Sequence, residues 1–114
     1  MSMQPVAKLS DLLDEEPARV EVDGVPVCLV RFGDVVKAVH DTCSHQQWSL
    51  SDGLVWNNRV ECSKHGSTFD LDTGQPSALP ANKPIPTFPV EVDGDAVRVD
   101  VAAPTNDAPF PDHD

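Results

Sequence analysis

Apolar and charged side chains alternate strictly near both ends of this chain. Val20 and Val22 interleave with Glu21 and Asp23, and Val97, Val99 and Val101 with Arg98 and Asp100. A period of two puts the two sets on opposite faces of a strand, so both stretches predict half-buried strands. The runs Val27–Phe32 and Val35–His40 follow turn pairs at Asp23-Gly24 and Gly33-Asp34, the pattern of consecutive antiparallel hairpins. Thr87–Val92 and Val97–Val101, joined at Asp93-Gly94-Asp95, predict a last hairpin that closes the base sheet. Met1–Leu9 has room for an edge strand interrupted by Pro5. Ser10 or Asp11 is placed to cap one helical turn over Leu12–Glu16, which Pro17 stops.

From Asp41 to about Pro86 the alternation breaks. A strand pair is expected at Gly53–Trp56 and Arg59–Glu61 around an Asn57-Asn58 turn. A short strand at Phe69–Leu71 and a turn at Asp72-Thr73-Gly74 come next, with Gly53 and Gly74 as plain turn glycines. Pro76, Pro80, Pro84 and Pro86 then stiffen a connection that cannot join a central strand. Ala102–Asp114 holds Pro104, Pro109 and Pro111 and no apolar period, which predicts a flexible tail. The expected fold is all-β: a small antiparallel β-barrel or sandwich. One domain covers 1–101, with a base sheet at 1–40 and 87–101 and an inserted lobe at 41–86; 114 residues suit one domain.

The insert carries the chemistry. Cys43-Ser44-His45 and Cys62-Ser63-Lys64-His65 each offer one thiolate and one imidazole, separated by Gln46–Glu61. Two sulfur and two nitrogen donors suit a transition metal, and a two-iron cluster takes this set when histidines replace two of the usual four cysteines. One intervening residue in the first pair and two in the second let each Cys reach one iron and each His the other. The same donors could close a tetrahedral zinc site, though paired motifs of this form are not the usual zinc spacing. The third cysteine, Cys28, lies in an apolar run and is expected to be a small buried hydrophobe. His40 is expected to be an ordinary strand-end histidine.

With Gly66 after the second histidine, and Phe69-Asp70 and Thr73-Gly74 beyond it, these motifs resemble Rieske-type [2Fe–2S] proteins. The resemblance runs from about Val20 to Val101, and Trp48-Ser49-Leu50-Ser51-Asp52-Gly53 is similar to the ferredoxin components of bacterial aromatic-ring dioxygenases. It implies that Cys43 and Cys62 hold one iron and His45 and His65 the other. It also implies backbone clearance at Gly66, a Ser67 hydroxyl able to hydrogen-bond a cluster sulfide, and a Trp48 that shields the cluster, touches a partner or packs in the core. High-potential members carry a disulfide where this chain has Trp48 and Lys64, and a tyrosine where it has Phe69. A centre near the bottom of the Rieske range, about −150 mV, is therefore expected.

The implied role is a one-electron carrier, not an enzyme, passing electrons from an NAD(P)H-dependent flavoprotein reductase to a terminal oxygenase as a monomer. The alternatives are the small Rieske-like subunit of an assimilatory nitrite reductase and an accessory ferredoxin of iron–sulfur assembly. No phosphate-cradling glycine loop or paired nucleophile and base suggests catalysis. Acidic residues outnumber basic ones 19 to 8, for a net charge of −11. That charge disfavours nucleic acid and would steer a basic protein surface inward at low salt. With no apolar run of membrane-spanning length and no leader at Met1, the expectation is a soluble cytoplasmic protein without membrane contact.

Overall fold

The computed structural model describes residues 4–42, 49–61, 68–76 and 84–106. Its strands are β1 (Gln4–Lys8), β2 (Pro17–Val22), β3 (Val25–Phe32), β4 (Val35–His40), β5 (Leu54–Trp56), β6 (Arg59–Glu61), β7 (Thr68–Asp70), β8 (Thr87–Phe88), β9 (Val90–Asp93) and β10 (Ala96–Val99). They form three antiparallel sheets, ordered β2-β3-β4-β8, β1-β10-β9 and β5-β6-β7. The all-β expectation holds, and so does the meander β2-β3-β4.

The β2–β3 turn, Asp23-Gly24, has φ of 52° and 80°, and the β5–β6 turn, Asn57-Asn58, has 52° and 61°. Left-handed backbone at both central residues is the type I′ geometry, whose twist matches the flanking strands.

The four-stranded sheet is the middle layer, and the period of two explains how. On β3, Val27 and Leu29 enter one core with Val22, Val36, Ala38, Phe88, Val97 and Val99. The alternate residues Cys28 and Val30 enter a second core with Val39, Leu50, Val60, Phe69, Leu71 and Ile85. One face therefore packs on the β1-β10-β9 sheet and the other on the inserted lobe. Cys28 is fully buried, as expected of a small hydrophobe. Burial pushes its thiol well above the usual cysteine range, which keeps it protonated.

Three expectations need correction. The final hairpin does not extend the meander's sheet. Pro89 has no N–H to continue a ladder, so Thr87–Phe88 pairs with β4 while β9 and β10 form another sheet with β1. The helical turn falls earlier, as a 3₁₀ turn at Leu9–Asp11, and Leu12–Glu16 is not helical. Ser10 spends its groups on a distant partner: its N–H and hydroxyl donate to the Asp95 carboxylate at 2.8 and 2.9 Å. Those two bonds hold Asp95 below the usual carboxylate range. The Arg31 guanidinium then donates to the Leu9 and Leu12 carbonyls at 3.0 and 3.1 Å, drawing the chain away from a helix. Finally, the tail does not begin at Ala102. Thr105 N–H donates to Thr87 O at 2.7 Å, and the Asn106 side chain holds three backbone groups, so 102–106 belong to the folded body.

Candidate metal centre

Two segments that carry the expected ligands, 43–48 and 62–67, connect described parts of the lobe. Cys43, His45, Cys62 and His65, together with Trp48, Gly66 and Ser67, lie outside the described residues. The described residues on either side of them fix where each segment leaves and returns.

The first segment leaves from the end of β4. Asp41 and Thr42 are buried there, and Asp41 N–H donates to Pro26 O at 3.0 Å. It returns at Ser49, ahead of a 3₁₀ turn at Leu50–Asp52 whose Leu50 is fully buried. The second segment leaves from Glu61 and returns at Thr68, and these two residues are paired across β6 and β7. Glu61 also pairs with Leu54 of β5. Leu54, Glu61 and Thr68 thus form one row at one end of the lobe sheet.

Gly53 joins the two bases. It is not a plain turn glycine, as the sequence reading had it, because its φ of −96° is open to any residue. What demands glycine is contact: a Cβ there would overlap the Glu61 carbonyl oxygen. The return of the first segment is therefore pressed against the departure of the second. Gly74 likewise has a reason beyond its φ of 74°, since a Cβ would run into the Ile85 carbonyl.

Asp41, two residues before Cys43, binds the residues that follow the first segment. Its carboxylate is fully buried and accepts from Ser51 N–H at 2.6 Å, from the Ser49 and Ser51 hydroxyls at 2.8 Å each, and from Arg19 Nη1 at 3.0 Å. Arg19 Nη1 also donates to the Ser49 hydroxyl at 2.6 Å. The residue that enters the segment and those that leave it are thereby tied to a strand of the middle sheet.

Two further polar joints fasten the lobe elsewhere. Lys37 Nζ on β4 meets Asp72 Oδ1 at 2.8 Å and Asn58 Oδ1 at 2.6 Å, and Asn58 Nδ2 donates to Asp72 Oδ2 at 2.9 Å. Lys37 holds Asp72 below the usual carboxylate range. Asn106 Nδ2 donates to the Thr73 and Ile85 carbonyls at 2.9 Å each, while its Oδ1 accepts from Thr87 N–H at 3.3 Å. Leu50, Val60, Phe69 and Ile85 are all fully buried in the core that the lobe shares with the middle sheet.

Each segment carries one cysteine and one histidine, a donor set whose chemistry suits a two-iron cluster, and the described residues at the two bases adjoin through Gly53 and Glu61. Among the described residues no other group of histidine, cysteine and carboxylate side chains could hold a metal. Asp41, Arg19 and Asn106 were missed as supporting residues. The signals present were an acidic residue two positions before Cys43 and serines at 49 and 51 on the far side of the segment.

Comparison with known proteins bears on the same residues. The family described as Rieske [2Fe-2S] domain matches residues 2–89. The ferredoxin component of biphenyl 2,3-dioxygenase from Rhodococcus jostii (strain RHA1) is 38% identical over 101 residues, covering 89% of this chain and 94% of that protein. The ferredoxin of carbazole 1,9a-dioxygenase from Nocardioides aromaticivorans IC177 superposes with a TM-score of 0.83 at 37% identity, covering 87% of this chain and 97% of that one. A ferredoxin chain in a complex of reduced oxygenase and oxidized ferredoxin of carbazole 1,9a-dioxygenase superposes at 0.79 with 36% identity, covering 85% and 91%.

Proposed function

Because this chain belongs to the Rieske [2Fe–2S] domain family, we propose that it is the ferredoxin component of an aromatic-ring-hydroxylating dioxygenase system. It carries electrons and is not itself the catalytic subunit. The observation that carries this reading is the pair of Cys/His segments whose bases meet at Gly53 and Glu61 in a chain 38% identical to such a ferredoxin. Cys43 and Cys62 would hold one iron through sulfur, and His45 and His65 the other through ring nitrogen. When bound, the cluster supplies a one-electron donor and acceptor, at a potential that histidine ligation raises into a range of roughly −150 to +300 mV.

The chain's own residues account for the rest. Leu50, Val60, Phe69 and Ile85 pack fully buried between the lobe and the middle sheet, and the Asp41 and Gly53 contacts fix the residues from which the segments leave and to which they return. Phe69 has no hydroxyl to donate, and Lys64 and Trp48 cannot form a disulfide, so the midpoint belongs near the bottom of that range.

The electron acceptor is a terminal oxygenase and the donor a flavoprotein reductase, met in turn by a monomeric carrier in the cytoplasm. Among the described residues no helix is long and apolar enough to cross a membrane. Leu54 and Trp56, on edge strand β5, expose 65% and 45% of their surface; Leu54 pairs with Glu61, from which the second segment leaves, and Trp56 Nε1 donates to the Glu61 carboxylate at 3.0 Å. They form the apolar centre of the face offered to the oxygenase, set in a strongly acidic surface that speeds encounter with basic partners. No observation favours the nitrite reductase subunit or the assembly carrier over this reading.

The test is reduction of the purified, loaded protein under anaerobic conditions, followed by mixing with a dioxygenase of this class. A Rieske EPR signal that disappears as the oxygenase is reduced, at a rate that falls with rising salt, is the expected result. A colourless protein holding one zinc ion would overturn it.

A further inference from the structure

Building on that reading, we propose that Asp41 sets the redox potential of the centre through its buried negative charge, with Arg19 as the opposing charge, in addition to clamping the first ligand segment. Closing a loop needs only acceptor oxygens, which an uncharged side chain or a backbone carbonyl can provide. A carboxylate with no exposed surface is costly to bury unless it is paired and hydrogen-bonded. Here it receives four donors, from Arg19, Ser49 and both groups of Ser51.

Its place in the chain gives that charge a target. Two residues of chain span at most about 7 Å, so Asp41 is covalently confined to the neighbourhood of Cys43. The Asp41 carboxylate is itself away from solvent, where a fixed charge is screened less than at the surface. Reduction adds negative charge to the centre, so Asp41 opposes it and lowers the potential. Arg19 keeps 45% of its side chain exposed, so it offsets Asp41 only in part. Asn at position 41 keeps an acceptor for Ser51 N–H but sets an NH2 against Arg19 where Oδ2 accepted. Arg19→Gln leaves the Ser49 and Ser51 bonds to Asp41 in place, so it is the variant that separates charge from clamp.

The experiment is voltammetry on the full-length, cluster-loaded protein and on Asp41→Asn and Arg19→Gln, with iron and sulfide counted in each. The midpoint is expected to move to a more positive value in Asp41→Asn. It should move to a more negative value, by a smaller amount, in Arg19→Gln. A residue that only clamps the loop predicts no such opposition of sign. Loaded variants whose midpoints stay put, or move in the same direction, overturn the proposal. If Asp41→Asn does not hold a cluster, Arg19→Gln decides alone: a more negative midpoint with an unchanged EPR spectrum supports the proposal, and an unchanged midpoint ends it. A wild-type protein without a Rieske signal would instead remove the family reading, a separate failure.

Discussion

The two sheets of the base and the three-stranded lobe are both β structure, yet they are held together by different means. In the base, β2, β3 and β4 pair along their whole lengths, and valines of alternating register fill the space between layers. In the lobe each strand is three residues long. Three-residue strands make few ladder bonds, and the lobe depends instead on side chains that reach backbone: Asp41 to Ser51, Asn106 to Thr73 and Ile85, Asp70 to the Asp72 and Thr73 amides. A regular sheet tolerates loss of any one contact. A lobe of short strands concentrates its order in a few residues, which leaves the ends of the sheet free for ligand-bearing loops.

The largest effect is expected from Phe69→Ala, which empties the centre of the core shared by lobe and middle sheet. A buried Phe-to-Ala change costs about 3–5 kcal/mol. Iron and sulfide content should fall together with the thermal midpoint. Leu29→Ala, on the opposite face of β3, sharpens the contrast at about 2–5 kcal/mol. Calorimetry should show comparable destabilisation while the purified protein keeps its cluster and its EPR spectrum. Equal cluster loss in both variants would mean that the lobe has no separate stability.

Asn106→Ala is smaller and more local. It strips donors from the Thr73 and Ile85 carbonyls, at about 1–3 kcal/mol for acceptors left unsatisfied. Hydrogen exchange should quicken at the Gly74 and Ile85 amides and stay unchanged in β3. The smallest effect is expected from Asp72→Asn at the Lys37 joint. Because 58% of the Asp72 side chain is exposed, the ion pair is worth only about 0.2–1 kcal/mol. Lys37 depresses the folded-state pKa of Asp72, so the pair stabilises above the ordinary aspartate value and is lost as pH falls through the lower folded value. The gap between wild type and variant in urea should therefore be present at neutral pH and close in strong acid.

This division between base and lobe also governs what could be read from the chain. Hairpins such as Val20–Phe32 were legible because alternation and the Asp23-Gly24 turn are local signals that agree with each other. The helical turn at Leu12–Glu16 was misplaced because its local signals lost to distant partners, Asp95 for Ser10 and the Leu9 and Leu12 carbonyls for Arg31. Gly53 was misjudged for a similar reason: its φ is ordinary, and only the approach of Glu61 from another strand forbids a side chain.

By itself, the sequence set out the candidate donors, two cysteines and two histidines in two short motifs, because residue identity and spacing are properties of the covalent chain. It also determined the valine alternation that builds the strands. Only the tertiary structure decided that β3 would serve two cores, that Asp41 would be buried against Arg19 and two serines, and that 102–106 would clip the lobe. Each of these depends on residues far apart in the chain meeting at contact distance, and such meetings leave no period and no motif behind.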